Sequence, residues 1–374
     1  MNAASVVSAP DSGTDWLVQL AGSPLPARQQ EDWRFTDLAA LQSVSPAVAT
    51  SPPWRDLQLP AGVARLSPAA AAPYLGTALA AVGSEALWPV RLNMGAAPPL
   101  LALRVQGEVD AFELPFEASP EAGLVPWRIL LVLDPGARLQ LLECPIAAPQ
   151  TSQLLNGVME VVLGPGARLH LGTLAQGTSN ACLFQHMAVR QSAGSELMAT
   201  TVTSGWSLVR QDPRVVQEQG RAHTQLRALQ RVVGREIADT HSTVRFDGPE
   251  GQLDQLHKSL ADGAGRSVFS GVVQVPRSAQ QTKATQISRN LLLSERARID
   301  TKPELQIVAD DVKCAHGATV TQLQPEELFY LQSRGVEASK ASQLLQRGFC
   351  DEVLRDLPPP AGRHQPVAAL LRES

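Results

Sequence analysis

The hydrophobic period changes twice along the chain. Up to about residue 95, apolar residues recur in short helical patches separated by Ala- and Pro-rich joints such as Ser51-Pro52-Pro53. From about Pro98 to Val312, apolar and polar residues alternate in short runs punctuated by Gly, Pro and Asp, the period-two pattern of strands. After Thr321 the helical period returns. The pattern divides the chain into a mostly helical region (1–95), a β region (96–320) and a helical C-terminal region (321–374).

The β region contains a near repeat. Leu131-Val132-Leu133-Asp134-Pro135-Gly136-Ala137-Arg138-Leu139-Gln140-Leu141 lines up with Val161-Val162-Leu163-Gly164-Pro165-Gly166-Ala167-Arg168-Leu169-His170-Leu171, thirty residues later. Weaker echoes occur at Ser192 to Leu197 and Leu293 to Ile299. Each unit is a buried strand, a tight turn and an alternating strand. One unit cannot bury its own apolar face, so neighbours must stack. This predicts a mainly β fold, a β-solenoid or parallel β-helix flanked by helical N- and C-terminal regions. A jelly-roll sandwich is the competitor, but it needs hairpin turns, and Asn156-Gly157 is the only Asn-Gly pair.

At the N-terminal side, Leu25 to Trp33 reads as a helix with Pro26 in its first turn. Trp33, Arg34 and Phe35 read as packing anchors. At the other end, Pro325 to Gly335 has acids in the first turn, Arg334 in the last and Gly just beyond. A second helix carries Ala338, Ala341, Leu344 and Leu345 on one face, with Gly348 after it. Phe349 to Leu357 reads as a third, stopped by Pro358-Pro359-Pro360, with a loose tail beyond.

Composition adds mainly exclusions. The formal charge of −4, without runs of like charge, argues against a nucleic-acid protein. Cys144, Cys182, Cys314 and Cys350 are widely spaced and form no disulfide framework, which suits a reducing cytosol. Residues 1–16 contain Asp11 and Asp15 but no Lys or Arg, unlike a secretory signal. The nearest candidate membrane span, 69–82, is broken by Pro73 and Gly76. A cytoplasmic protein is expected.

Familiar catalytic constellations are missing: no phosphate loop, His-Glu-x-x-His, Gly-x-Ser-x-Gly or Gly-x-Gly-x-x-Gly is present. His170, His186, His223, His241, His257 and His364 stand singly and read as surface or packed residues. Asp239-Thr240-His241 and Asp254-Gln255-Leu256-His257 put carboxylates near imidazoles, as a solenoid lyase or hydrolase would. A sugar groove would also need aromatics, and Tyr74 and Tyr330 are the only tyrosines.

The remaining constellation is Asp310-Asp311-Val312-Lys313-Cys314-Ala315-His316-Gly317-Ala318-Thr319. In a strand, Cys314 and His316 point to one side. Sulfur and imidazole together suit iron, zinc or an iron–sulfur cluster, but two donors leave a site incomplete. Lys313 is expected to favour the thiolate, and Asp310 or Asp311 to orient the His316 ring. The competing reading is a buried cysteine beside a satisfied histidine.

Together with Ser288-Arg289-Asn290-Leu291-Leu292-Leu293-Ser294, Pro303-Glu304-Leu305-Gln306-Ile307 and Phe329-Tyr330-Leu331-Gln332-Ser333-Arg334-Gly335, this stretch resembles the signature of the SufB/SufD family. Glu31 to Leu38, with Trp-Arg-Phe-Thr-Asp-Leu, resembles its SufD branch. Ala315 and Thr321 depart from the usual serine and glycine without removing a ligand. The resemblance implies a right-handed parallel β-helix and a role as a non-catalytic subunit of a SufBCD-type scaffold for iron–sulfur cluster assembly. It implies pairing with a SufB-like subunit through the β-helices; in isolation an open β-helix edge would also pair with a second copy. An ABC-type ATPase, SufC, would supply the missing phosphate loop. Carried onto this chain, His316 would help to build a transient cluster, or hold iron, at the partner interface, with Cys314 beside it in a less defined role. No cofactor would be tightly bound by this chain alone. SufC would dock on the C-terminal helices around Phe329, Tyr330, Leu331, Arg334 and Gly335. The other classes left open are a carbohydrate-active solenoid enzyme and a purely structural solenoid.

Overall fold

A computed structural model describes residues 13–54 and 57–371. Most of the stretch read as lacking a secretory signal, and the last three residues of the expected tail, lie outside the described residues. Strand β1 (Val63–Arg65) pairs antiparallel with β2 (Leu100–Val105). Then come β3 (Phe112–Leu114), β4 (Gly123–Leu133), β5 (Arg138–Glu143), β6 (Gln153–Leu163), β7 (Arg168–Gln176) and β8 (Ala181–Gln191). β9 (Glu196–Ser204), β10 (Leu208–Gln217), β11 (His223–Val232), β12 (Ile237–Phe246) and β13 (Gln252–Ala261) continue the series. It ends with β14 (Arg266–Val275), β15 (Lys283–Leu292), β16 (Arg298–Ile307) and β17 (Lys313–Gln322).

From β2 on, even-numbered strands stack in parallel in one sheet and odd-numbered strands in the other, so the chain winds as the expected parallel β-solenoid. The sequence repeat is one coil: Leu131 registers with Val161, and Arg138 with Arg168. Each repeated turn needs its glycine. Gly136 and Gly166 have φ of +73° and +67°, a region that costs an L side chain energy. Their amides bond the turn above, Gly136 N to Pro165 O at 2.9 Å and Gly166 N to Ala193 O at 3.0 Å. Both weaker echoes also fall on corners, β8 to β9 and β15 to β16.

Asn156-Gly157 is not a turn. It lies inside β6, where a Cβ on Gly157 would come within 2.4 Å of the buried Trp127 indole. The glycine makes room for one of the tryptophans of the lumen. That lumen is one continuous apolar cluster running from Val105 through Val161 and Val215 to Val275.

The terminal regions cover the outer faces of the two sheets. Helix α1 (Asp15–Ala21), the short helices α2 (Pro68–Ala71) and α3 (Thr77–Ala81), and α4 (Trp88–Gly95) all precede the solenoid. Leu17, Trp33, Leu41 and Trp88 pack on Phe184 and Leu208 of the β8/β10 sheet. The helix expected over Leu25 to Trp33 is only a 3₁₀ turn, Glu31–Trp33. Tertiary contacts override its period: Asp32 O accepts from Arg210 Nη1 at 2.6 Å, and the Arg210 guanidinium lies 4.3 Å over the Trp33 ring.

At the C-terminal end are α5 (Pro325–Ser333), α6 (Ala338–Leu354) and α7 (Pro366–Leu371). The two helices expected on either side of Gly348 are one. Cys350, Val353 and Leu354 bury against Leu229, Leu256 and Leu260 of the odd-numbered sheet, which outweighs the roughly 1 kcal/mol that a mid-helix glycine costs. The tail is not loose up to Leu371. A 3₁₀ turn, Pro359–His364, leads into α7, and Leu370 and Ala361 join the same cluster. Among the described residues no helix is long and apolar enough to cross a membrane.

Candidate functional site

Among the described residues nothing caps the β16–β17 end of the solenoid. β16 and β17 are the last strands of their sheets, each paired on one side only. In β15 the inward column Ala284, Gln286, Ser288 and Asn290 is fully buried. Their register partners in β17 are Cys314, His316, Ala318 and Val320. The same inward face therefore continues into β17, but no further coil among the described residues covers it. His316, Ala318 and Val320 are exposed, and Cys314 is half-buried against the edge of the lumen cluster. Ile307 and Val308, the latter 66% exposed, add apolar surface at this end.

Cys314 and His316 thus share a face, as their spacing predicts. Among the described residues the His316 ring has no hydrogen-bond or ion-pair partner, so both nitrogens are free for a ligand. The expected help from Lys313 does not materialise. Lys313 points to the opposite face, and burial pushes the Cys314 thiol up, opposed only by a hydrogen bond from the Ala284 backbone. The thiol keeps its proton until a cation replaces it. No hydrogen bond or ion pair among the described residues joins Asp310 or Asp311 to His316. The Asp311 backbone instead holds the corner, its N–H donating to Gln280 Oε1 at 3.0 Å and its carbonyl accepting from Gln281 N at 2.6 Å.

Beside the apolar lumen cluster, a column of buried polar groups runs inward from this end. Gln255 and Gln286 precede His316 in register, and Gln286 Nε2 donates to Gln255 Oε1 at 2.9 Å. Gln286 Oε1 and Asn290 Oδ1 are buried without partners.

The carboxylate–imidazole pairs that a polysaccharide enzyme would use are unavailable to a substrate. Asp239 is wholly buried, accepts from Thr36 Oγ1, and lies 2.7 Å from Arg210 Nη1 and 3.0 Å from His241 Nε2. Burial alone would raise its carboxyl, but Arg210 and His241 outweigh burial and hold it below the usual carboxylate range. His257 is buried and stacked on Phe269 at 4.4 Å, and burial pushes it down to about 3. Asp254 is on the outer face, 2.5 Å from Arg227. Asp239 and His241 hold the N-terminal segment, His257 packs inside the solenoid, and Arg227 links Asp254 to Asp356 of the C-terminal segment.

The second surface that the sequence singles out is α5. It buries no residue, and Phe329 and Tyr330 are 70% and 58% exposed. Leu331 is half-buried, and Arg334 lies 5.3 Å over the Tyr330 ring. Gly335 ends the helix at φ +83°, its N–H donating to Gln332 O and that of Val336 to Leu331 O. Two adjacent exposed aromatics on a helix with no buried face form a surface suited to another protein.

One cluster escaped the sequence reading. His364 Nε2 lies 2.9 Å from Glu113 Oε1 and 3.6 Å from Cys144 Sγ. The three residues are far apart in sequence: the pairing of β3 with β5 sets Glu113 near Cys144, and docking of the C-terminal turn on the first coils adds His364.

Residues 116–349 match the family model described as SUF system FeS cluster assembly, SufBD core domain. Among curated proteins, an iron–sulfur cluster assembly SufBD family protein of Synechocystis is 45% identical over 171 residues, covering 46% of this chain and 38% of that protein. The iron–sulfur cluster assembly protein SufD of Escherichia coli is 38% identical over 132 residues, covering 35% of this chain and 31% of its own. SufD of Bacillus subtilis is 38% identical over 117 residues, covering 31% and 26%. The matches thus span well under half the length of these curated relatives.

Proposed function

The chain belongs to the SufBD family of the SUF iron–sulfur cluster assembly system, and from that premise we propose that it is a non-catalytic, SufD-like scaffold subunit. Its partners are a SufB-like solenoid and a SufC-type ABC ATPase, in the cytoplasm. The observation that carries this reading is the edge strand β17, where His316 and Cys314 lie on an inward face that the described residues leave uncovered.

The physical logic is one of completion. β16 and β17 each offer a free row of backbone donors and acceptors, and such edges take up another strand. A second solenoid meeting this end covers the apolar residues Ile307, Val308 and Val320 and brings donors to the half-site of Cys314 and His316. In isolation a second copy of this chain satisfies the same edges. Iron and sulfide are cargo here, held between chains and passed on, and the chain alone retains none tightly. Phe329, Tyr330, Leu331 and the Arg334–Gly335 helix end receive the ATPase, whose cycle opens and closes the paired ends.

Co-expression with a SufB-type and a SufC-type chain tests the reading. The expected result is a three-chain complex that gains iron and acid-labile sulfide. Failure of this chain to capture either partner would overturn it.

A further inference from the structure

The strongest unassigned constellation lies at the other end of the odd-numbered sheet. β3 brings Glu113, the residue after β5 is Cys144, and the 3₁₀ turn Pro359–His364 brings His364. All three side chains are partly buried, and their donor atoms lie within 4.8 Å of one another. We propose that Glu113, Cys144 and His364 bind one divalent transition cation of the zinc or ferrous class, at a site remote from Cys314 and His316.

The donor set defines the class of ion. A thiolate, an imidazole and a carboxylate are what zinc and similar borderline cations take, whereas calcium and magnesium prefer oxygen alone. The spacing is close to what such an ion needs. Bonds of about 2.0–2.3 Å in a tetrahedron place neighbouring donors roughly 3.3–3.6 Å apart. The 3.6 Å between Cys144 Sγ and His364 Nε2 already meets this. The 2.9 Å between His364 Nε2 and Glu113 Oε1 is a hydrogen bond that must open slightly. Three protein donors leave the fourth position for water.

Arg363 is the competing cation. Its Nη2 lies 2.9 Å from Glu113 Oε2, so it occupies one carboxylate oxygen and leaves Oε1 to the metal. Its side chain is largely exposed, so its charge is screened by solvent. It does not neutralise the thiol position. Burial, reinforced by Glu113 and Glu143, pushes Cys144 up to about 12, so the metal-free site holds a thiol. Binding then exchanges protons for the cation. The Cys144 proton leaves to solvent; on a neutral imidazole, the Nε2 proton is lost while Nδ1 gains one. Net release is one proton per cation. The bound ion ties the C-terminal turn to the first coils, so occupancy stabilises the packing of α6 and α7 on the solenoid.

Cobalt(II) titration of the full chain, stripped of metal and carrying Cys314→Ser to silence the open-end thiol, tests the site. The expected result is one equivalent bound, with a near-ultraviolet thiolate-to-cobalt band, tetrahedral visible absorption, release of one proton and a higher Tm. Adding Cys144→Ser removes the charge-transfer band, and adding His364→Gln removes one-equivalent binding. Each variant's metal-free Tm reports that it is folded. A charge-transfer band that survives Cys144→Ser, or absence of one-equivalent binding in the folded parent, overturns the proposal.

Discussion

Gln286 and His316 occupy matching register positions on β15 and β17, yet the first is wholly buried and the second exposed. The same inward face changes from lumen to surface in one coil. His316→Ala therefore removes no packing, and stability should change by no more than about 0.5 kcal/mol. Cluster assembly with the partner chains should fall sharply while complex formation persists. Gln286→Ala should do the reverse, costing about 1–3 kcal/mol through the buried Gln255 amide oxygen left without its donor. Urea unfolding alongside iron and sulfide analysis separates the two. Unimpaired assembly by His316→Ala would remove the role given to that ring.

The exposed pair on α5 leads to a prediction of the opposite kind, one about a partner. Phe329→Ser with Tyr330→Ser takes two aromatics out of water-exposed positions and leaves the core untouched. The unfolding midpoint should stay within error, while capture of the ABC-type ATPase in a pull-down should be lost. Retained capture would move the docking surface elsewhere.

Arg210 joins the N-terminal segment to the solenoid. Its guanidinium contacts Asp212, Asp239, the Asp32 carbonyl and the Trp33 ring, and all but Asp32 are buried. Arg210→Met leaves two buried carboxylates without their cation and should destabilise by about 3–5 kcal/mol. Adding Asp212→Asn and Asp239→Asn should recover part of that loss, since the unpaired charges are what cost most. Denaturant unfolding of the single and triple variants measures both. A single variant as stable as the parent would show that the charges find other partners.

Much of this was legible in the residues, for identifiable reasons. The Asp134–Leu141 and Gly164–Leu171 repeat marked the coil because two successive coils have equal length and both corners need a glycine at positive φ. The repeat then fades because coil length drifts: Leu154 registers with Cys182, but Leu208 with Ile237. The same-face placement of Cys314 and His316 follows from strand geometry alone. Their exposure does not, because it depends on where stacking stops. Local period misled at Leu25 to Trp33, where Arg210 on a distant strand dictates the backbone, and at Gly348, where burial of Cys350 and Val353 carries the helix through. The Glu113, Cys144 and His364 cluster left no local trace at all.

The lumen also holds a proton where sequence reasoning sees an ordinary acid. Glu143 is wholly buried near the start of the rod. Its Oε1 accepts from Thr173 Oγ1 at 2.7 Å and from the Gln185 amide, while Oε2 has no partner. Burial raises its carboxyl to about 7, against the lesser effect of those two donors. The folded chain therefore keeps a proton that the unfolded chain releases from about pH 4.5 upward. The stability this gives is fully present below that value and is lost as pH rises through 7, about 3 kcal/mol in all. His186 and His257 act in the opposite sense. Burial holds them near 4 and 3, so they add stability as pH rises toward 6.5. Comparison with Glu143→Gln cancels that histidine background, because glutamine keeps an acceptor oxygen for Thr173 and Gln185 and cannot ionise. The variant's advantage over the parent should grow between pH 5 and pH 8 in urea unfolding. A difference that stays flat across that range would mean Glu143 is already charged in the folded lumen.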